Sequence, residues 1–93
     1  MVVGTLRLEL HFPASHSLKE KRSIMNHVKE RLRTRFNASV AEVDHQDLWQ
    51  RAALGVAVVS GEGHVLDKVL RDILSMVERE DRLHVLDYQI RID

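Results

Sequence analysis

Leu6, Leu8, Leu10 and Phe12 alternate with Thr5, Arg7, Glu9 and His11 near the start of the chain. Successive strand side chains point to opposite faces, so this period of two predicts a strand with one buried and one wet face. Pro13 has no N–H for a ladder and ends it. Ser17 and Glu20 then form an S-x-x-E capping box, in which each side chain satisfies an otherwise unpaired backbone N–H. Behind it Leu18, Met25, Val28, Leu32 and Phe36 fall on one stripe at helical spacing. A helix is expected from about Leu18 to about Phe36, with Asn37 as its stop.

The short, mixed segment Ala38 to Asp44 predicts a second strand, at a sheet edge. His45 to Gln50 is a polar connection that carries the single tryptophan, Trp49. Arg51 to Ser60 has Leu54, Val56 and Val58 on one face and Ala53, Gly55, Ala57 and Val59 on the other, the pattern of a central strand. Ser60-Gly61-Glu62-Gly63 is a turn. A second helix buries Leu66, Val69, Leu70, Ile73 and Val77 and gives out around Glu80-Asp81. Finally Leu86, Tyr88, Ile90 and Ile92 alternate with Val85, Asp87, Gln89 and Arg91, a last strand.

The order β-α-β-β-α-β, with right-handed crossovers, fits an α+β, ferredoxin-like split βαβ sandwich. Residues 1–93 form one domain: four antiparallel strands, the first and third in the middle, and two helices on one face. The other face is left uncovered. It is expected to carry Arg7, Glu9, His11, Ala53, Gly55, Ala57, Val59, Val85, Asp87 and Gln89.

Composition narrows the class. The chain is 10.8 kDa, 44% hydrophobic and 30% charged, the mixture of a small soluble globule. It has no cysteine, which excludes disulfides, thiolate nucleophiles and sulfur-ligated zinc. No apolar run approaches the ~20 residues of a membrane span, and Met1-Val2-Val3-Gly4 lacks the basic start of a secretion signal. A cytoplasmic protein is expected.

The net charge of zero conceals an asymmetry. Between Lys19 and Arg35 there are seven basic and two acidic residues; between Glu62 and Asp81 there are three basic and six acidic. Lys19, Arg22, Asn26, Lys29 and Arg33 are spaced 3-4-3-4, so they share one flank of the first helix over about 21 Å. Cations in a helix's first turns oppose its macrodipole unless an anion is bound there. Lys19, Lys21, Arg22, Lys29 and Arg33 are therefore the candidate contacts to a phosphate backbone, with ribosomal or other structured RNA as the partner. The bland alternative is a solvated face whose long side chains lie over apolar neighbours.

Other constellations are weaker. Asp44, His45 and Asp47 make a D-H-x-D cluster that could suit a hard cation, but nothing specifies further ligands, and a polar turn explains it as well. The six histidines include no H-x-H or H-E-x-x-H pair. A lone tryptophan in so small a domain is expected to pack over one end of the core; exposed, Trp49 would be a binding anchor, with Asp44 and Asp47 beside it as a secondary contact. No G-x-S-x-G elbow and no glycine-rich phosphate loop is present. Acylphosphatases share this size and strand order, but their arginine-bearing glycine-rich loop is missing from Phe12-Pro13-Ala14-Ser15-His16-Ser17. RNA-recognition motifs stack bases on sheet-face aromatics, which the expected open face lacks. No catalytic residue, metal site or cofactor is assigned, and a small phosphate-ester hydrolase is a distant third reading. Ala53, Gly55, Ala57 and Val59 form a smooth apolar strip on the open face, which invites a homodimer through the sheet.

Val3-Gly4, Ser17-Leu18-Lys19-Glu20-Lys21-Arg22, Phe36-Asn37-Ala38-Ser39-Val40-Ala41-Glu42-Val43 and Asp44-His45-Gln46-Asp47-Leu48-Trp49-Gln50 together resemble the YlxP-like family of small bacterial proteins of unassigned biochemistry. The resemblance covers essentially the whole chain. It implies a ferredoxin-like fold, a bacterial cytoplasm and a link to ribosome maturation or translation, and it transfers no catalytic residue.

Overall fold

A computed structural model describes residues 1–93. β1 (Val2–His11), α1 (Leu18–Arg35), β2 (Ser39–Asp44), β3 (Arg51–Ser60), α2 (Gly63–Glu78) and β4 (His84–Ile92) follow in the expected order. The sheet runs β2-β3-β1-β4 with every pair antiparallel, the ferredoxin-like arrangement, and β1 and β3 are central.

The alternation in β1 and β3 decides which face the helices cover. Leu6, Leu8 and Leu10 from β1, followed by Phe12, meet Ala52, Leu54, Val56 and Val58 from β3 in one core of 19 buried residues. Met25, Val28 and Leu32 enter it from α1, and Leu66, Leu70, Ile73, Leu74, Met76 and Val77 from α2. Each such side chain contributes about 1.5–3 kcal/mol on burial. Gly4 sets how closely α2 lies on β1: a Cβ there would stand 2.9 Å from Leu70 Cδ1 and 3.3 Å from Leu66 Cδ1.

α1 starts as its sequence specifies, with the Ser17 hydroxyl accepting from the Glu20 N–H at 3.1 Å. The returning half of the box differs: the Glu20 carboxylate reaches past Ser17 and accepts from the His16 N–H at 2.8 Å. The helix ends at Arg35, one residue short of the expected Phe36. Phe36 is already extended (φ −126°), and its ring packs against the core.

Two β-bulges change which residues face where. In β4 the register shifts between Asp87, opposite Glu9, and Val85, opposite Leu10. The extra residue, Leu86, is exposed, and Val85 turns to the core side instead of the open face where alternation put it. The apolar row expected to be buried in β4 is mostly not. Ile90 packs against the core, whereas Leu86, Tyr88 and Ile92 are exposed because β4 is an edge strand. In β2 the shift falls between Glu42 and Asp44, and the extra residue is Val43. Its side chain lies over Gly55, where a Cβ would come within 2.8 Å of Val43 Cγ1.

The open face also departs from expectation at Ala53, which is fully buried. Ala53 pairs with Glu9 on one side and Asp44 on the other. Arg7 Nη2 bridges those two carboxylates, at 3.1 Å from Glu9 and 3.6 Å from Asp44. His45 Nε2 and Arg51 Nη2 both reach Glu9 Oε2 at 3.2 Å. This lattice roofs the small side chain and removes Ala53 from any dimer face. What stays accessible of the expected strip is Gly55, Ala57 and Val59, joined by Val43 from β2.

Candidate nucleic-acid interface

The cations of α1 divide by their position around the helix. Lys21 shares the stripe of Met25, Val28 and Leu32 and is fully buried. Its ammonium donates to Glu42 Oε2 at 3.0 Å and to the carbonyls of His45 (2.8 Å), Gln46 (3.3 Å) and Arg51 (3.1 Å). Glu42 is in reach because it lies opposite Leu54 and so points to the helix side of β2. An ammonium enclosed by four acceptors cannot meet a phosphate. Lys21 is therefore not a nucleic-acid contact, contrary to the sequence expectation: it is a structural cation that ties α1 to the β2–β3 connection. The helical stripe itself carried the signal, since position 21 falls between Leu18 and Met25 on the buried face.

At 100° per residue Arg22 and Lys29 share the flank of Arg33, which reaches β2, and Lys19 stands nearer the solvent apex, while Arg31 and Arg35 line grooves with Met76 of α2. None of these six has a carboxylate within 4.0 Å. Arg33 alone is tethered, donating from Nη2 to the Val40 carbonyl at 2.8 Å, on the unpaired edge of β2. On α2 the cations are neutralised within the helix. Lys68 pairs with Asp72 at 2.9 Å and Arg71 with Asp67 at 3.1 Å, four residues apart in each case. Asp67 holds the Arg71 guanidinium above its ordinary pKa. The positive field of the molecule is thus concentrated along α1.

Beside the start of α1 is a surface cleft of about 470 Å³ lined by Ala14, Ser15, Lys19, Glu20, Ser23, Ile24 and Arg82. Arg82 is committed to Glu80, donating to both carboxylate oxygens at 3.0 and 2.9 Å. Those hydrogen bonds come first among the causes that push Glu80 down to about 2; burial opposes the shift, and the Arg82 backbone N–H and the charge on His27 add to it.

The β2–β3 connection is a built turn. His45 adopts a left-handed backbone (φ 61°), which costs a residue with a side chain about 1–2 kcal/mol. Compensating contacts surround it: its N–H donates to Asp44 Oδ1 at 2.8 Å, its carbonyl accepts from Lys21 and from the Leu48 N–H, and its ring meets Glu9. Gln50 Nε2 donates to the carbonyls of Pro13 (3.3 Å) and Ser15 (3.2 Å), and the Gln50 carbonyl accepts from the Phe12 N–H at 2.9 Å. At the turn's surface Trp49 is 56% exposed and Leu48 45%, so the tryptophan does not close the core as expected.

Asp44 is engaged by the His45 N–H first, then by the charges of His45 and Arg7, and these hold its carboxyl below the usual range. Burial works against ionising Glu9, but the Arg7 and Arg51 donors and the field of His45 outweigh it and lower its pKa. Asp47 has no ion-pair partner. Asp44 and His45 thus belong to the lattice over Ala53, and no three His, Asp or Glu side chains converge as a metal site would require. Neither helix is long and apolar enough to cross a membrane.

Residues 3–90 match the family model described as "Protein of unknown function (DUF503)". The uncharacterized protein YlxP of Bacillus subtilis (strain 168) is 32% identical over 77 residues, spanning 83% of this chain and 84% of that one. Both matches take in the charged helix and the tryptophan turn as well as the core, and the chain accordingly belongs to the DUF503 family, to which the YlxP-like resemblance of its motifs pointed.

Proposed function

We propose that the protein is a non-enzymatic RNA-binding module of the bacterial cytoplasm that docks on ribosomal or other structured RNA through α1. One observation carries the reading: the α1 cations outside the core have no carboxylate partners, while those of α2 are paired within their own helix. Lys19, Arg22 and Lys29 are free to contact phosphates, and Arg33 can share its guanidinium between the Val40 carbonyl and a phosphate. The logarithm of the binding constant from such contacts falls linearly with the logarithm of salt concentration, with a slope near −0.9 per phosphate neutralised on a duplex. Titration of ribosomal RNA or small ribosomal subunits across a salt series is the test. Binding that weakens steadily with salt is expected, and no binding at ~50 mM salt would end the proposal.

A second reading, self-association through the open sheet face, is favoured by the exposed Val43 and Val59 around Gly55 and Ala57. Ala57→Lys places a charge in the middle of that strip. Under this reading light scattering shows a dimer that becomes a monomer in the variant, and a wild-type monomer at high concentration excludes it.

A further inference from the structure

We infer that Trp49 is a stacking platform for one unpaired nucleobase of the RNA held by α1, so that the preferred ligand is a single-stranded segment or loop and not an uninterrupted duplex. The inference rests on the α1 reading above and narrows its ligand.

The ring is more than half exposed, and Leu48 beside it is exposed too, in a turn where His45, Gln46 and Gln50 are all hydrogen-bonded to the rest of the chain. Exposure does not come from looseness. Lys21 fixes the turn at His45, Gln46 and Arg51, and Gln50 fixes it to Pro13 and Ser15 just ahead of α1. A platform held in place loses little freedom on binding, which is the condition under which one aromatic contact contributes most. These same bonds bring the turn to the first turns of α1, which carry Lys19 and Arg22. The turn that carries the ring and the first cations of α1 therefore lie at the same end of the molecule.

Bases stack on aromatic faces whatever their identity, whereas the bases of a duplex are already stacked on each other. The open sheet face has no Phe, Tyr or Trp, and the other exposed large ring, Tyr88, lies on β4 beside Arg71 of α2, so Trp49 is the exposed aromatic in the turn that is tied to α1. Asp47, unpaired and two residues before the ring, repels phosphate from the turn. The phosphates must lie on the α1 side and the base on the turn.

The experiment compares an RNA hairpin with an unpaired loop against a fully paired RNA duplex of equal phosphate number, both at low salt. Because Trp49 is the only tryptophan, its fluorescence reports this site alone. The hairpin should quench it and the duplex should not. Trp49→Ala should weaken hairpin binding roughly 5- to 100-fold and leave duplex binding unchanged, and Trp49→Phe should retain most of the affinity. Thermal melts of both variants should match the wild type. Duplex binding with no hairpin preference, no quenching and no effect of Trp49→Ala would overturn the stacking role while leaving the α1 contacts intact. Failure of the wild type to bind either RNA would overturn both.

Discussion

The Lys21 ammonium sits 3.0 Å from the Glu42 carboxylate with none of its side chain exposed, and the same nitrogen bonds three carbonyls of the β2–β3 connection. One buried charge thus joins α1, β2 and the turn that presents Trp49. Removing one member of a buried pair strands the other, which costs about 3–5 kcal/mol. Glu42→Ala should lower stability by that amount in denaturant melts. Lys21→Met should also destabilise, by about 3 kcal/mol, because the three carbonyls lose their donor. Lys21→Met protein that remains folded should keep the wild-type salt slope for RNA, since this cation faces inward.

The cations that face outward should behave in the opposite way. Arg22→Ala and Lys29→Ala should leave the melting temperature nearly unchanged, and each should reduce the salt slope by roughly 0.7–0.9. Lys68→Ala and Arg71→Ala remove charges already paired with Asp72 and Asp67, so RNA titrations of these variants should match the wild type. Equal effects from both helices would mean that only total charge matters.

Gly4 is required for space. A methyl group there meets Leu70 and Leu66 within 2.9–3.3 Å in the packed layer between β1 and α2. Gly4→Ala should destabilise by about 1–3 kcal/mol, the range for overpacking a well-filled core. In a Leu70→Ala background the same methyl group should cost measurably less than in the wild type if the clash is the cause, although Leu70→Ala itself destabilises. Chemical denaturation of the single and double variants measures this.

Glu80 gives the fold an acid limb. Its carboxyl, lowered to about 2 by Arg82, binds its proton less readily in the folded chain than in the unfolded one, where the ordinary value is near 4.5. The stabilisation is therefore complete above about pH 4.5 and declines as pH falls toward 2. In melts across that interval the wild type should lose its advantage over Glu80→Gln. An advantage unchanged from pH 5 to 2 would show that the Arg82 contact does not depend on charge.

The sequence by itself determined the architecture. Period-two alternation in β1 and β3, the Ser17 cap and the stripes of α1 and α2 are local patterns whose physical meaning does not depend on distant residues, and the β-α-β-β-α-β order leaves few ways to bury those faces. The charge asymmetry between the helices was legible for the same reason. Only the tertiary structure decided the rest, because each remaining point depends on what lies across the chain. Lys21 counts as one more helix cation until Glu42 and three carbonyls surround it. Ala53 belongs to an open strip until Arg7, Glu9, Asp44 and His45 close over it. Val85 changes sides because of a bulge that alternation cannot register, and Trp49 is exposed because Lys21 and Gln50 hold its turn to the start of α1 instead of over the core.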